Sequence, residues 1–304
     1  EVNLSNTDRL RRAGCQVICG IPGLKTHSKA ILITRSEAGT IKHYAHLGTG
    51  NYHDGNARLY TDMGLMTCDE QICSDVQTFF QALENESREI YAAALIAAPS
   101  NLKSKVFQLI QREKEHALAG RPSGIIAKMN SLLDEQVTEA LYDASAAGVK
   151  IKLIVRGICT LIPEDSRLSE NIQVISIVGR HLEHARAFRF ENGGDAEVYL
   201  SSADWMPRNL DRRYELMFPI REAGCKQSVE NVMRLQLMDN QKCWHMDPCG
   251  DYTRIKPNGG MPVNAQEVLL YSLEEVFTGQ WEGFQEHMHS FRAPVIPDGE
   301  QKRS

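Results

Sequence analysis

The 304-residue sequence predicts an α/β fold built as two related units that face each other across a pseudo-dyad. Two observations predict it. Helical and strand patterns alternate along the chain, and a faint repeat recurs in its two halves. In the first half CQVICGIPGLKTHSKAILITR is followed by IKHYAHLGTGNYH; in the second IQVISIVGRHLEHARAFRF is followed by AEVYLSSADWMPRN. Each copy runs from an apolar strand through a glycine-bearing link to a strand carrying His-x-(Lys/Arg). A second strand then ends in a small polar turn, Gly48-Thr49-Gly50-Asn51 or Ser201-Ser202-Ala203-Asp204.

Taken in order, NTDRLRRAGC reads as a helix feeding the strand QVIC, so the chain opens part-way through a helix-strand unit, as a fragment of a longer protein would. KAILIT and IKHYAHL are the next strands, with Gly39-Thr40 marking the hairpin between them. An amphipathic helix covers roughly 75–83. IYAAALIA reads as a strand, its alanines leaving a helix open. The polar stretch ENESRE separates a first unit, 1–88, from a second, 89–290. The second opens with the helix NLKSKVFQLIQREKEHAL, capped by Asn101. The strand GIIAKMN and the helix LLDEQVTEALYDASAAG, ended by Gly148, follow. Further strands are KIKLIVRG, IQVISIV, HARAFRF, EVYLSSA and RYELMFPI, and CKQSVENVMRLQLMDNQKCW is a late helix. Trp244, Met246 and Cys249 read as core, the stretch beyond is weakly patterned, and 291–304 reads as a disordered tail.

Composition is globular, with 42% apolar and 24% charged residues, and the formal net charge is −5. No global basic field recruits nucleic acid, so any anion site must be a local cluster of Arg, Lys and His. The eight cysteines form no C-x-x-C pair. Buried reduced thiols and a cytosolic protein are therefore expected. No run of about 18 apolar residues suggests a membrane span.

The cluster begins at KTHSKA. In an extended chain Lys25, His27 and Lys29 project from one strand face. Two flanking lysines repel a metal and attract an anion such as phosphate. Alone, a His-x-cation motif is an ordinary strand edge; two copies in matching order with matching flanks make a site. Across the pseudo-dyad His27 faces His184, one imidazole attacking phosphorus while the other, protonated, balances charge. Lys29 and Arg186 hold the equatorial oxygens, and the two turns, Asn51 included, add hydrogen bonds. Lysines on both sides suit His27 to attack, whereas Glu183 beside His184 suits the latter to protonation. Arg156 closes a parallel strand at its ligand-binding end. Arg208, Asn209, Arg212 and Arg213 lie beside the second turn, His46, His53, Arg58 and Tyr60 near the first, and Lys128 and Asn130 share a strand face toward the cleft.

KTHSKA, YAHLGTGNYH, ARLYTD, IIAKMNSL, LIVRGIC, LSENIQVISIVGR, LEHARAFRFENGG and YLSSADWMPRNLDRR together resemble the C-terminal half of the bacterial polyphosphate kinases of the histidine-phosphorylated, long-chain-synthesising type. The resemblance runs from Glu1 to about Ala265 and implies a phospholipase D-like fold in each unit. It makes His27 the phosphohistidine nucleophile, His184 its partner on the nucleotide phosphate and His46 a further important histidine. Tyr60 and Arg156 would contact ATP; Lys29, Arg186, Arg208 and Arg213 would be phosphate ligands. The implied reaction is reversible transfer of the ATP γ-phosphate to inorganic polyphosphate, with Mg2+ required. Family members are homo-oligomers of the cytoplasm, often at the inner face of the membrane. The family's N-terminal and head domains and the start of its first catalytic domain lie outside this sequence, and with them its magnesium-linked arginines. A local departure is Ser28-Lys29-Ala30, where alanine then lysine is expected. Two alternatives stand beside this reading. A phospholipase D-like phosphodiesterase would carry an aspartate where Ile33 and Phe190 stand, six residues after each histidine, and a polyanion-binding fragment would lack turnover.

Overall fold

The computed structural model describes residues 2–18 and 20–287. Helix α1 (Val2–Arg12) precedes strands β1 (Lys25–Thr26), β2 (Lys29–Glu37) and β3 (Thr40–Gly48). Helix α2 (Asp54–Ala57), strands β4 (Tyr60–Thr61) and β5 (Gly64–Thr67) and helix α3 (Glu70–Glu84) complete the first part. The chain continues through β6 (Ile96–Ala98), α4 (Leu102–Leu118), β7 (Gly124–Met129), α5 (Glu135–Ala146), β8 (Lys150–Val155) and β9 (Ile172–Ile177). Then come β10 (Leu182–Glu183), β11 (Arg186–Phe190), β12 (Glu197–Ser201), α6 (Pro207–Asp211), β13 (Arg213–Pro219) and α7 (Ala223–Met238). Strands β14 (Cys243–Met246) and β15 (Tyr252–Arg254) and helices α8 (Ala265–Tyr271), α9 (Leu273–Thr278) and α10 (Glu282–His287) close the described part.

The large sheet has the order β1-β13-β12-β11-β7-β8-β9-β14-β15, with β6 also on β13. Its centre, β7-β8-β9, is parallel, and parallel pairing needs crossovers, supplied by α5 between β7 and β8 and by the 156–171 loop between β8 and β9. Ile125, Ala127, Met129, Ile151, Leu153 and Val155 alternate onto one face. There they pack on Val106, Leu109 and Ile110 of α4 and Val137, Leu141 and Ala144 of α5. Asn130 and Arg156 consequently lie at neighbouring C-terminal strand ends, where such sheets bind ligands. A separate antiparallel sheet, β2-β3-β5, belongs to the first half. Its Ala30, Leu32, Ala45 and Leu47 side packs on the Ile72, Val76 and Phe79 stripe of α3, a helix whose first turn is capped by Asp69 accepting from Ile72 N at 2.9 Å.

The repeat is real at the level of register. Lys29 pairs with Gly48 across β2-β3, and Arg186 pairs with Ser201 across β11-β12. In both copies the cation opens its strand directly opposite the first residue of the polar turn. The mixed sheets and flanking helices, with this motif in register, accord with the phospholipase D-like pair expected from the sequence.

Several local expectations are corrected. KTHSKAILIT is not one strand: β1 joins β13 of the large sheet in parallel, β2 belongs to the small sheet, and the backbone N–H groups of both His27 and Ser28 donate to Tyr214 O at 3.0 Å. The chain crosses between sheets at His27, so Lys25 is exposed while Lys29 is buried. Residues 16–18 of QVIC form no strand, and Cys19 lies outside the described residues. The hairpin turn is Ala38-Gly39, with φ of 50° and 81°, closed by the Glu37–Thr40 pair; positive φ at both central residues gives the twist that a two-residue hairpin needs. IYAAALIA contributes only Ile96–Ala98. Asn101 precedes α4 but turns its Oδ1 back to Ala97 N at 2.9 Å. Cys243 and Trp244, expected as the end of the late helix, belong to the strand Cys243–Met246 against β9. Met246 is buried, Trp244 half-buried and Cys249 exposed. Cys15, Cys68 and Cys225 are exposed too, and only Cys73 and Cys243 of the described cysteines are buried. The weakly patterned stretch folds into short helices whose Val263, Ala265, Val276, Trp281 and Phe284 pack on Val232 and Leu235 of α7. The expected tail, 291–304, lies outside the described residues.

Candidate active site

Each repeat histidine is held by a carboxylate from the other half. His27 Nδ1 donates to Glu215 Oε2 at 2.8 Å, and His184 Nδ1 donates to Asp62 Oδ1 and Oδ2 at 2.9 and 3.0 Å. An ionised carboxylate can only accept, so the proton of each ring sits on Nδ1 and its Nε2 carries the lone pair. Glu215 is 0% exposed in its side chain, and His27 is 18% exposed. The short parallel ladder β4-β10 brings His184 to Asp62: Leu182 N donates to Leu59 O and Ala185 N to Thr61 O, both at 2.8 Å. The Tyr60 ring lies 4.9 Å from the His184 ring at a 45° tilt.

The two Nε2 atoms differ. Arg186 Nη1 lies against the His184 ring, 3.1 Å from Nε2 and 3.3 Å from Nδ1, and the same guanidinium donates to His184 O at 3.0 Å and Thr49 O at 3.3 Å. Its Nε and Nη2 fork onto Asp204 Oδ1 and Oδ2 at 3.1 and 3.0 Å. Lys29, the matching cation of the first copy, donates through Nζ to His27 O. Among the described residues His27 Nε2 makes no hydrogen bond.

Around this centre Asn130 Nδ2 donates to His184 O and Asp204 Oδ1 at 3.2 and 3.0 Å, and its Oδ1 accepts from Arg156 Nε at 2.5 Å. Arg156 Nη1 and Nη2 make no hydrogen bond among the described residues. Arg213 Nη1 is 3.8 Å from Glu215 Oε1, an atom that is buried without a hydrogen-bond partner. Burial pulls Lys29 down to about 8, partly offset by Glu215, so it is a cation poised to lose its proton just above neutrality. Burial also lowers His184, which its bond to Asp62 resists and the charges of Arg186 and Arg156 reinforce. Burial would raise Asp204, but Arg186 and Asn130 hold it below the usual carboxylate range.

The sequence profile described as Polyphosphate kinase C-terminal domain 2 matches residues 95–266, and that of Polyphosphate kinase C-terminal domain 1 matches residues 1–89. This chain belongs to the polyphosphate kinase family. It is 47% identical over 274 residues to the polyphosphate kinase of Pseudomonas aeruginosa, covering 90% of this chain and 40% of that one. It is 44% identical over 280 residues to that of Synechocystis, covering 92% and 38%. The crystal structure of the Porphyromonas gingivalis polyphosphate kinase superposes with a TM-score of 0.85 at 37% identity, over 91% of this chain and 43% of that one. The chain thus spans about two fifths of the length of these relatives.

Against the polyphosphate kinase expectations, the structure assembles His27, His184, Lys29, Arg186, Tyr60, Arg156 and Arg213 in one cluster. His46, Asn51 and Arg208 make no hydrogen bond to this cluster among the described residues. His46 bonds through Nδ1 to Tyr52 Oη at 2.7 Å and packs on Gly64, where an added Cβ would come 2.5 Å from Nε2. Asn51 and Arg208 are exposed, with no side-chain hydrogen bond or ion pair among the described residues. Lys128 does not reach the cleft but pairs with Glu183 at 3.0 Å, both buried. Asn209 turns inward to accept from Asp204 N at 3.1 Å. Burial and two neighbouring arginines hold His184 toward the neutral form, against the expectation of a protonated partner. Asp62 and Glu215 were not read from the sequence, and Asp204 entered only as the last residue of the second polar turn. Asp62 and Glu215 each stand 13 residues beyond the second residue of a polar turn, a spacing that recurs in both copies.

Proposed function

We propose that this chain carries the phosphoryl-transfer centre of an ATP–polyphosphate phosphotransferase, its two catalytic units being 1–88 and 89–290. The observation that carries the assignment of roles is the asymmetry of the two rings: the Arg186 guanidinium lies against both nitrogens of His184, whereas among the described residues nothing bonds to His27 Nε2. In the forward direction His27 Nε2 attacks the γ-phosphorus of ATP, and the bond to the bridging oxygen breaks with its electron pair leaving on ADP. The Nδ1 proton stays on the ring, and Glu215 balances the positive charge of the phosphorylated imidazole. A terminal oxygen of polyphosphate then attacks the phosphohistidine, the N–P bond breaks, and neutral His27 returns. Lys29, Arg156 and Arg213 stabilise charge on the transferring oxygens. Arg186, its fork engaged with Asp204, contributes charge rather than a direct ligand. Tyr60 flanks the nucleotide end of the cleft.

Mg2+ enters with the nucleotide. Among the described residues no three His, Cys, Asp or Glu gather as a metal site, and Asp62, Asp204 and Glu215 already serve His184, Arg186 and His27. These residues do not fit a resident magnesium ion. We place the protein in the cytoplasm as a homo-oligomer associated with the inner face of the membrane; among the described residues no helix is long and apolar enough to cross one.

The test is labelling of the full-length protein with γ-labelled ATP. An acid-labile, base-stable phosphate mapping to His27, absent in His27→Ala and still formed at a reduced rate in His184→Ala, is expected. A label on His184, or one that persists in His27→Ala, would overturn the assignment.

A further inference from the structure

The two polar turns do not point their hydroxyls at the cleft, as donors to phosphate would. Thr49 and Ser202, the second residue of each turn, are both 0% exposed. Thr49 Oγ1 donates to Asp62 Oδ1 at 2.6 Å, and Ser202 Oγ donates to Glu215 Oε2 at 2.5 Å. In both copies the residue after the carboxylate completes the same ring. Thr49 N donates to Met63 O at 3.0 Å and Met63 N donates to Thr49 Oγ1 at 3.1 Å; Ser202 N donates to Leu216 O at 2.9 Å and Leu216 N donates to Ser202 Oγ at 3.0 Å. A hydroxyl has one proton. With its oxygen already accepting a backbone N–H, that proton is directed at the carboxylate. The carboxylate oxygen that receives it, Asp62 Oδ1 or Glu215 Oε2, is also one that accepts from the histidine of the opposite half.

We propose that Thr49 and Ser202 are positioning residues of two crossed relays, Ser202–Glu215–His27 and Thr49–Asp62–His184, each fixing the ring orientation and tautomer of the histidine in the other half of the molecule. A hydroxyl that merely satisfied a buried backbone N–H would have no reason to repeat the same two bonds in both copies at the same 13-residue spacing. Each carboxylate side chain has rotational freedom that one bond to an imidazole does not remove; the hydroxyl supplies the second point and holds the accepting oxygen in line with Nδ1. Outer partners of this kind, where they orient a ligating histidine, are worth about 10- to 100-fold. The catalytic consequence rests on the phosphohistidine reading above, whereas the relay geometry does not.

The test therefore reads the histidines directly, by 15N chemical shifts of the imidazole nitrogens in this chain, alongside the rate of phosphohistidine formation in the full-length protein. Wild type should show His27 and His184 as Nδ1–H tautomers. Ser202→Ala should erode the Nδ1–H tautomer of His27 alone, and Thr49→Val that of His184 alone, while Ser202→Thr and Thr49→Ser should restore both. Labelling of His27 should slow about tenfold in Ser202→Ala with nucleotide affinity unchanged, and recover in Ser202→Thr. Where alanine loosens the fold, Ser202→Cys keeps the volume with a weaker donor and should shift His27 in the same sense. Unchanged tautomers in folded Ser202→Ala and Thr49→Val, or an effect of each on the histidine of its own half, would overturn the relays. A tautomer shift without any phosphohistidine in wild type would leave the relays standing and reject the phosphotransfer reading instead.

Discussion

Replacing Arg186 by lysine keeps the charge and removes the fork, and the structure fixes what that costs. The guanidinium is 4% exposed and makes two bonds to Asp204 with Nε and Nη2 while Nη1 reaches the carbonyls of His184 and Thr49. An ammonium is a single point and can keep one partner of Asp204 or approach the carbonyls, but cannot span both sets. At least two charge-assisted bonds are lost, each worth about 1.5–3 kcal/mol, for a total of about 3–6 kcal/mol. Relaxation around the shorter side chain favours the lower end, which is also the range for breaking a buried ion pair. Set against a domain stability of about 5–15 kcal/mol, Arg186→Lys should lower the denaturant midpoint steeply with an unchanged slope, read by circular dichroism on this chain. A loss of under about 1 kcal/mol would refute the reasoning. It would show that Arg186 is not a structural clamp and would return it to the role of a free phosphate ligand.

Arg156→Lys should behave in the opposite way: its Nη atoms are open, so the fold should survive while ATP affinity, measured by calorimetry on the full-length protein, falls about tenfold or more. Wild-type affinity would make Arg156 a strand end only. Gly50→Ala should displace Asp62, because the new Cβ would lie 2.0 Å from Asp62 Oδ2 and 2.1 Å from Cγ; the His184 imidazole 15N shifts should change while those of His27 do not. Binding of tripolyphosphate should weaken as pH rises through about 8, where Lys29 loses the charge that burial has made labile. Lys29→Arg should abolish that step, since arginine stays charged throughout, and a pH profile identical in both proteins would exclude Lys29 as a phosphate ligand.

The parallel core of the large sheet was legible because apolar residues alternate along strands bounded by an amphipathic helix that a glycine ends, signals that need no knowledge of the rest of the chain. The two histidines were legible because the motif is doubled. What failed depended on pairing partners. QVIC has the composition of a strand, but among the described residues nothing pairs with 16–18. KTHSKAILIT alternates as one strand would, yet Tyr214 O captures the His27 and Ser28 amides and splits it between two sheets. Asp62 and Glu215 escaped because a carboxylate earns no notice by composition. Only the equal 13-residue interval from Thr49 and Ser202 marks them, and it reaches beyond the turns where the motif-bearing part of the repeat ends.

A pseudo-dyad by itself would give two equivalent histidines, and a covalent intermediate on one of them alone, as proposed above, requires that they differ. The difference lies in one residue of the repeat, the cation two places after each histidine. Lysine at 29 presents one ammonium, directed at the His27 carbonyl, and can do nothing to the far side of the ring. Arginine at 186 has donors enough to bind Asp204 with one edge and still bring Nη1 against the His184 ring, 3.1 Å from Nε2 and 3.3 Å from Nδ1. On the reading proposed above, the same geometry that orients both rings through Nδ1 leaves His27 Nε2 open and sets a fixed charge against the His184 ring. Burial compounds the asymmetry, for it brings Lys29 to about 8, within reach of proton exchange during turnover, while a guanidinium never gives up its proton. On the phosphohistidine reading proposed above, the histidine beside the removable charge is the one that reacts, and the histidine beside the permanent charge is the one held opposite it.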